Sequence, residues 1–330
     1  MTKTEFEVIG VGSPIVDTLS YIPDEFLEAI SGEKGGMELV DNPYIQSVIA
    51  RLPGDKFSAP GGAAANTILN LAKLGAKTTF LGMLGEDDNA EFYRSSFKAA
   101  GCDCSRFKSN SEFSTAHCLS MITPDAERTM RTYLGAAAQL DPASITAQDF
   151  KDCRHLHIEG YLIFNRELLP HILKVAKKAG CTISLDLGSF EIVKGAMDIL
   201  PQLIKDYVDL VFANEEEAAA YLGENDSHKA LDLLSQSCDI VAVKLGKDGA
   251  LLKRGNEKHV IEPVKAEKVI DSTGAGDIWA SGFLYGYVKD YPLEVCGKIG
   301  SLVGCHAVQQ TGGSLPDDIC ALIVEQIKDM

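Results

Sequence analysis

No CxxC pair occurs in the 330 residues, although nine cysteines are scattered along them. Cys102 and Cys104 flank Asp103 without zinc-ligand spacing, so neither a zinc site nor a dithiol redox motif is supported. The thiols read as buried or idle groups in a reducing cytoplasm. Positive charge is scarce: 31 Lys and Arg against 47 Asp and Glu leave a formal net charge of -16. That balance argues against nucleic acid and against anionic membrane surfaces as partners. It still permits a phosphorylated ligand, because a few local amide donors outweigh a distant net charge. No apolar run is long enough to span a bilayer. The opening MTKTEFEVIGVGSP meets Gly12-Ser13-Pro14 before it could form a signal-peptide core, so a cytoplasmic location is expected. Two common nucleotide fingerprints are also missing. In Gly10-Val11-Gly12-Ser13-Pro14-Ile15, Ile15 replaces the third glycine of the dinucleotide motif, and no GxxxxGKS or GxxxxGKT stretch exists.

What is present is a strand–helix rhythm. Strands fit Phe6 to Val11, Thr78 to Met83, His155 to Ile158, Thr182 to Asp186, Leu210 to Ala213 and Ile240 to Val243. Helices fit Gly61 to Leu74, Asp88 to Ala100, Glu167 to Lys178, Glu215 to Leu222 and His228 to Ser235. The alternation predicts an α/β fold with a mostly parallel central sheet and helices on both faces. Two regions break it. Ser13 to Pro53 is glycine-punctuated, and Ser114 to Tyr133 holds two β-like runs around Thr123-Pro124-Asp125-Ala126. They predict a small β-sheet lid outside the main sheet. The expected division is core 1–12, lid 13–53, core 54–113, lid 114–133 and core 134–330, the last carrying a nucleotide site and a catalytic motif.

The most informative stretch is Asp271-Ser272-Thr273-Gly274-Ala275-Gly276-Asp277. After it, Ala280, Phe283, Leu284, Tyr287 and Val288 fall on one helical face, which places the small residues at a helix N-terminus. Free N–H groups there can stabilise a phosphoryl group in transfer, and Asp277 can accept a proton from an attacking hydroxyl. An acid in a first helical turn is also favoured by the helix dipole alone, so the heptad leaves both readings open.

Gly61-Gly62-Ala63-Ala64-Ala65-Asn66 allows close approach, with an amide suited to a polyhydroxylated ligand, or is simply a tight loop. Asp17 reads as a loop acid after the first strand, where α/β sheets bind ligands. Asn214-Glu215-Glu216-Glu217 either feeds a helix dipole or lets Asn214 and Glu217 hold the water shell of Mg2+. Lys244-Leu245-Gly246-Lys247-Asp248-Gly249 is a turn that can lie under a nucleotide. His155-Leu156-His157 is read as a strand triplet with its histidines on opposite faces, hence no metal pair.

The order Asp17, GGAAAN, NEEE, GxxG, DSTGAGD resembles the ribokinase-like (PfkB-type) family of sugar and nucleoside kinases over nearly the whole chain. GVGSPIVD, GGAAANT, RTYLGAA, IEGY, FANEEEA and DSTGAGDIWASGFLYGY are most similar to its bacterial adenosine kinase-like branch. The resemblance implies Asp277 as base and the amides of Gly274, Ala275 and Gly276 as anion hole. It implies Asp17, Gly61, Gly62 and Asn66 on the acceptor, with Arg131 reaching in from the lid. Asn214, Lys244, Gly246, Gly249 and Thr273 would border ATP, and Asn214 and Glu217 would order Mg2+. Asp271, Thr273, Ala307, Gln310 and Gly312 would surround a monovalent cation such as K+. Lys244 departs from a frequent threonine of the family. The implied partners are ATP and a nucleoside, most similar to adenosine, or a sugar, in a monomer or a lid-mediated homodimer.

Overall fold

The computed structural model describes residues 5–30, 32–125 and 127–330. Ala126, the last residue of the expected lid turn, and the opening residues 1–4 lie outside them. The strands are β1 (Phe6–Val11), β2 (Ile15–Tyr21), β3 (Met37–Leu39), β4 (Phe57–Gly61), β5 (Thr78–Leu81), β6 (Met83–Leu84), β7 (Lys108–Ser109) and β8 (Ala116–Ile122). They continue as β9 (Arg128–Tyr133), β10 (Cys153–Glu159), β11 (Thr182–Asp186), β12 (Leu210–Asn214), β13 (Ile240–Lys244), β14 (Ala250–Arg254) and β15 (Glu257–Ile261).

Eight strands form the main sheet in the order β15-β14-β13-β12-β11-β10-β1-β5. It is parallel from β5 to β13, and only the β13–β14–β15 edge runs antiparallel. Its central strands are apolar on both sides, as a sheet covered twice requires. Ile9, Leu156 and Val211 face a cluster built with the Leu168–Ala179 helix. Val8, Leu210 and Phe212 face the Ala63–Lys73 and Ala275–Val288 helices. Each such large side chain contributes about 1.5–3 kcal/mol on burial. Trp279 and Ile278, neighbours on the Ala275–Val288 helix, serve two different clusters, so this helix is buried nearly all round and its N-terminus is fixed at the carboxyl ends of the strands.

The small sheet has the order β3-β9-β8-β2-β4. One of its faces packs Leu119 and Met121 against the Asp24–Glu28 and Asn42–Ile49 helices through Leu27, Ile45 and Val48. Two expectations need correction. Asp17 is not in a loop: Ile15–Tyr21 is a strand, with Asp17 paired to Ala59 and Cys118. The small sheet also extends past residue 53, because Phe57–Gly61 is its edge strand; Pro60, which lacks a ladder donor, is tolerated there.

His155 and His157 share one face, as residues two apart on a strand must, and both bond Ser184 Oγ, at 2.8 and 2.9 Å. The expectation of opposite faces was therefore wrong. Burial pushes both imidazoles down, His157 to about 4, so they sit neutral in the core. All nine cysteines are free thiols.

Candidate active site

Asp277 lies in the first turn of the Ala275–Val288 helix, with Gly274 as N-cap in the left-handed region at φ 69°. Asn66, on the first turns of the Ala63–Lys73 helix, donates from Nδ2 to Asp277 Oδ2 at 3.0 Å. Thr67 Oγ1 donates to the Asp277 carbonyl at 3.0 Å. Asn70, one turn on, donates to Gly313 O at 2.8 Å and accepts from Leu315 N at 2.8 Å. Two adjacent polar residues and a third one turn on thus pin the Ala275–Val288 helix N-terminus and the 312–315 loop to the Ala63–Lys73 helix. Burial raises the Asp277 carboxyl to about 8, helped by the Asp186 charge and opposed by the Asn66 bond and Lys244. A carboxyl tuned to that range suits a general base near neutral pH. Asn66 Oδ1 is buried with no hydrogen-bond partner among the described residues.

The anion-hole expectation is modified in one respect. Ala275 N–H closes a turn onto Ser272 O at 3.2 Å, so it is committed here. Gly276 and Asp277 N–H have no intrahelical acceptor by helix geometry, which leaves Gly274, Gly276 and Asp277 as donors toward the cleft.

Beside this turn opens a cavity of about 840 Å3, lined by Asn214, Lys244, Gly246, Gly249, Ser272 and Gly276 among others. Trp279, Val264, Val269 and Val308 supply apolar walls. Four of the expected nucleotide residues therefore meet in one cavity. Thr273 does not line it.

Asn214 and Glu217 form a reciprocal capping box. Asn214 N and Nδ2 donate to the two Glu217 carboxylate oxygens at 2.8 Å each, and Glu217 N donates to Asn214 Oδ1 at 2.8 Å. Glu217 is buried, and burial with the Asp186 charge raises it to about 7. Lys244 ion-pairs with Asp186 at 2.8 Å. Among the described residues no group of three or more His, Cys, Asp or Glu side chains could hold a metal ion. Asp186 and Glu217 are oxygen donors that fit a hydrated divalent ion held partly by nucleotide phosphates, not an all-protein cage.

From the small sheet, Asp17 stands half-buried next to Gly61, where an added Cβ would lie 2.2 Å from its Oδ2. Burial raises its carboxyl to about 7, against the pull of Arg128. Arg131 does not reach the site. It lies opposite Leu119, on the helix-covered face, fully buried and 3.6 Å from Glu38. The period of two puts Arg128 on the other face, the one that bears Asp17. Arg128 binds Asp271 Oδ2 at 3.0 Å and also donates to Thr273 Oγ1, joining the small sheet to the loop before the anion hole. Arg128→Ala is expected to speed amide exchange in 128–133 and 271–276 and to lower turnover by on the order of 10²-fold. Unchanged exchange and turnover would remove this latch from the mechanism.

The loops proposed for a monovalent cation do pack together, through Ile270 N to Val308 O at 2.7 Å. However, the Asp271 carboxylate is already taken by Arg128, Thr273 N and Gly312 N, and Ala307 O accepts Gln310 N at 3.1 Å.

Sequence reasoning missed Thr67, Asn70, Arg128, Asp186 and Glu159. Glu159 is buried at the end of β10 and accepts from Ser13 N at 2.8 Å and Ala64 N at 3.0 Å, tying the β1–β2 loop to the helix start. Strand parity would have separated Arg128 from Arg131. Thr67 and Glu159 lie inside the GGAAANT and IEGY motifs but were given no role, and Asn70 and Asp186 had no local signal.

A model of the pfkB family of carbohydrate kinases matches residues 39–320. A probable sugar kinase protein from Rhizobium etli shares the fold at TM-score 0.87 and 32% identity, over 99% of this chain and 100% of that one. Adenosine kinase from Sinorhizobium meliloti gives TM-score 0.86 and 30% identity over 98% and 99%. Adenosine kinase of Saccharomyces cerevisiae is 25% identical over 338 aligned residues, 94% of this chain and 97% of its own.

Proposed function

This chain belongs to the pfkB family of carbohydrate kinases, ATP-using phosphotransferases with hydroxyl acceptors and a ribokinase-like α/β fold, and within that family we propose that it phosphorylates the 5′-hydroxyl of a nucleoside, adenosine above all. One observation carries the nucleoside over a free sugar. The face of the small sheet that bears Asp17 continues in largely apolar rows: Leu39 shares the Asp17 row with Thr132 and Cys118, and Met37, Met130, Leu19 and Phe57, with Ser120 between them, form the next. Leu39 and Phe57 are 63% and 58% exposed, an apolar wall that a purine would cover and a free sugar would not.

In this reading Asp17 and Asn66 hold the ribose hydroxyls, Gly61 and Gly62 let the ligand approach the backbone, and Asp277 takes the 5′-hydroxyl proton. The N–H groups of Gly274 and Gly276 hold the charge on the transferred phosphoryl. The small sheet acts as a lid that Arg128 latches, excluding water. Mg2+, when bound with the nucleotide, would supply charge neutralisation at the phosphates, and Asp186, Asn214 and Glu217 would orient its waters. A monovalent cation would rest on backbone oxygens near Thr273 and Gly312, since the Asp271 side chain is spent.

The test is ATP consumption with Mg2+ and adenosine, with ribose and fructose run in parallel. Turnover on adenosine with KM well below that for either sugar is expected. Turnover confined to a free sugar would replace the acceptor and leave the family chemistry in place.

A further inference from the structure

Around the carboxyl ends of β11 and β13 the chain buries more acid than one proton transfer needs. Asp186 ends β11, Glu217 lies in the first turn after β12, and Asp277 lies in the first turn of its helix. Lys244, at the end of β13, is the cation whose charge acts on all three. Its Nζ stands 2.8 Å from Asp186 Oδ2, and the two side chains are only 11% and 8% exposed. The same Nζ would lie 3.2 Å from a Cβ placed on Gly276. The ammonium therefore sits between a carboxylate and the amide turn that faces the cavity, and Lys244 and Gly276 both line that cavity.

Grouped buried carboxylates draw in a cation, and a hard divalent ion would be satisfied by one or two of them plus water. Here that place is taken by the chain itself. A lysine is a compact charge on a flexible stem, so a small swing exchanges one oxyanion partner for another. Breaking a buried pair is costly unless a new partner replaces the old one, and a phosphoryl oxygen at Gly276 is such a partner.

We propose that Lys244 is a resident counter-cation. In the nucleotide-free protein it occupies Asp186 and keeps divalent ions off the carboxylate cluster; with nucleotide bound, it turns onto the transferred phosphoryl group beside Gly276. The second half rests on the kinase reading above, and the first does not.

The test uses the full chain. Mn2+ is titrated into nucleotide-free protein and followed by the loss of its aqueous electron-spin resonance signal. Lys244→Met is expected to bind Mn2+ at least roughly tenfold more tightly than wild type. That gain should vanish in the double variant with Asp186→Asn, and Lys244→Arg should stay at the wild-type level. With saturating MgATP and the preferred acceptor, Lys244→Met should lose ~10²-fold in kcat while acceptor KM holds. Equal Mn2+ affinity in wild type and Lys244→Met overturns the counter-cation, and an unchanged kcat overturns the phosphoryl contact. If wild type fails on adenosine while the Mn2+ gain is present, the counter-cation stands and the acceptor reading falls. Lys244→Gln, which keeps a polar contact to Asp186, carries the same expectations if the methionine variant melts too early.

Discussion

Asp277→Asn is expected to lower kcat by about 10²–10⁴-fold while ATP and acceptor KM change little. The amide keeps the shape of the side chain and an oxygen for Asn66 Nδ2, so only proton acceptance is lost. The pH profile provides the sharper check. With the carboxyl raised to about 8 in the free protein, wild-type kcat/KM should fall on the acid side of that value. Asp17 and Glu217 titrate nearby, at about 7, so the limb belongs to Asp277 only if the Asn variant lacks it.

The same substitution should stabilise the fold. The folded-state pKa of Asp277 lies above its usual 3.8, so folding favours the protonated acid. Wild type therefore loses stability as pH rises from about 4 to about 8, where the buried charge is forced on it. The Asn variant carries no such term. Its advantage should be absent near pH 4 and reach about 1–3 kcal/mol by pH 8, after discounting for the water that reaches the cleft side of the turn. A thermal melt series across that range reads the difference. A constant or falling advantage would mean that the carboxyl is not held protonated.

Gly62→Ala should damage the acceptor side and leave the nucleotide side intact. Gly62 caps the Ala63–Lys73 helix at φ 105° and ψ 134°, a region open essentially to glycine alone. A Cβ there would stand 2.3 Å from the Ser13 carbonyl oxygen, and Ser13 belongs to the loop that Glu159 holds against the same helix start. The strain alone costs about 1–3 kcal/mol. The clash adds a displacement of the Ser13 loop and of Asn66, so acceptor KM should rise by roughly tenfold or more while ATP KM holds. Gly75→Ala is the control. Gly75 is also strained, at φ 95°, but has no atom within 4 Å of an added Cβ. It should cost comparable stability and leave acceptor KM alone. Equal effects of the two variants on KM would show that strain, and not the Ser13 contact, sets acceptor binding.

Periodicity and punctuation made the body of this protein legible. Apolar strands such as Thr182–Asp186 and the helix Glu215–Leu222 lie where local pattern put them, because each is bounded by its own caps and turns. The small sheet was harder. Ile15–Tyr21 and Phe57–Gly61 are short, carry Asp17 and Pro60, and become strands only by pairing with residues far away in sequence.

The site divides in the same way. By itself the sequence determined the glycine-rich helix start with Asp277 inside it, because a turn of small residues before an apolar helix leaves few conformations open. It also determined the capping box of Asn214 and Glu217, whose partners are three residues apart. The tertiary structure alone decided that Arg128 rather than Arg131 crosses to Asp271, that Asn66 meets Asp277, and that Lys244 is held by Asp186. Those pairings span 143, 211 and 58 residues. They depend on which strand lies beside which and which face each presents, and no local pattern of side chains encodes that.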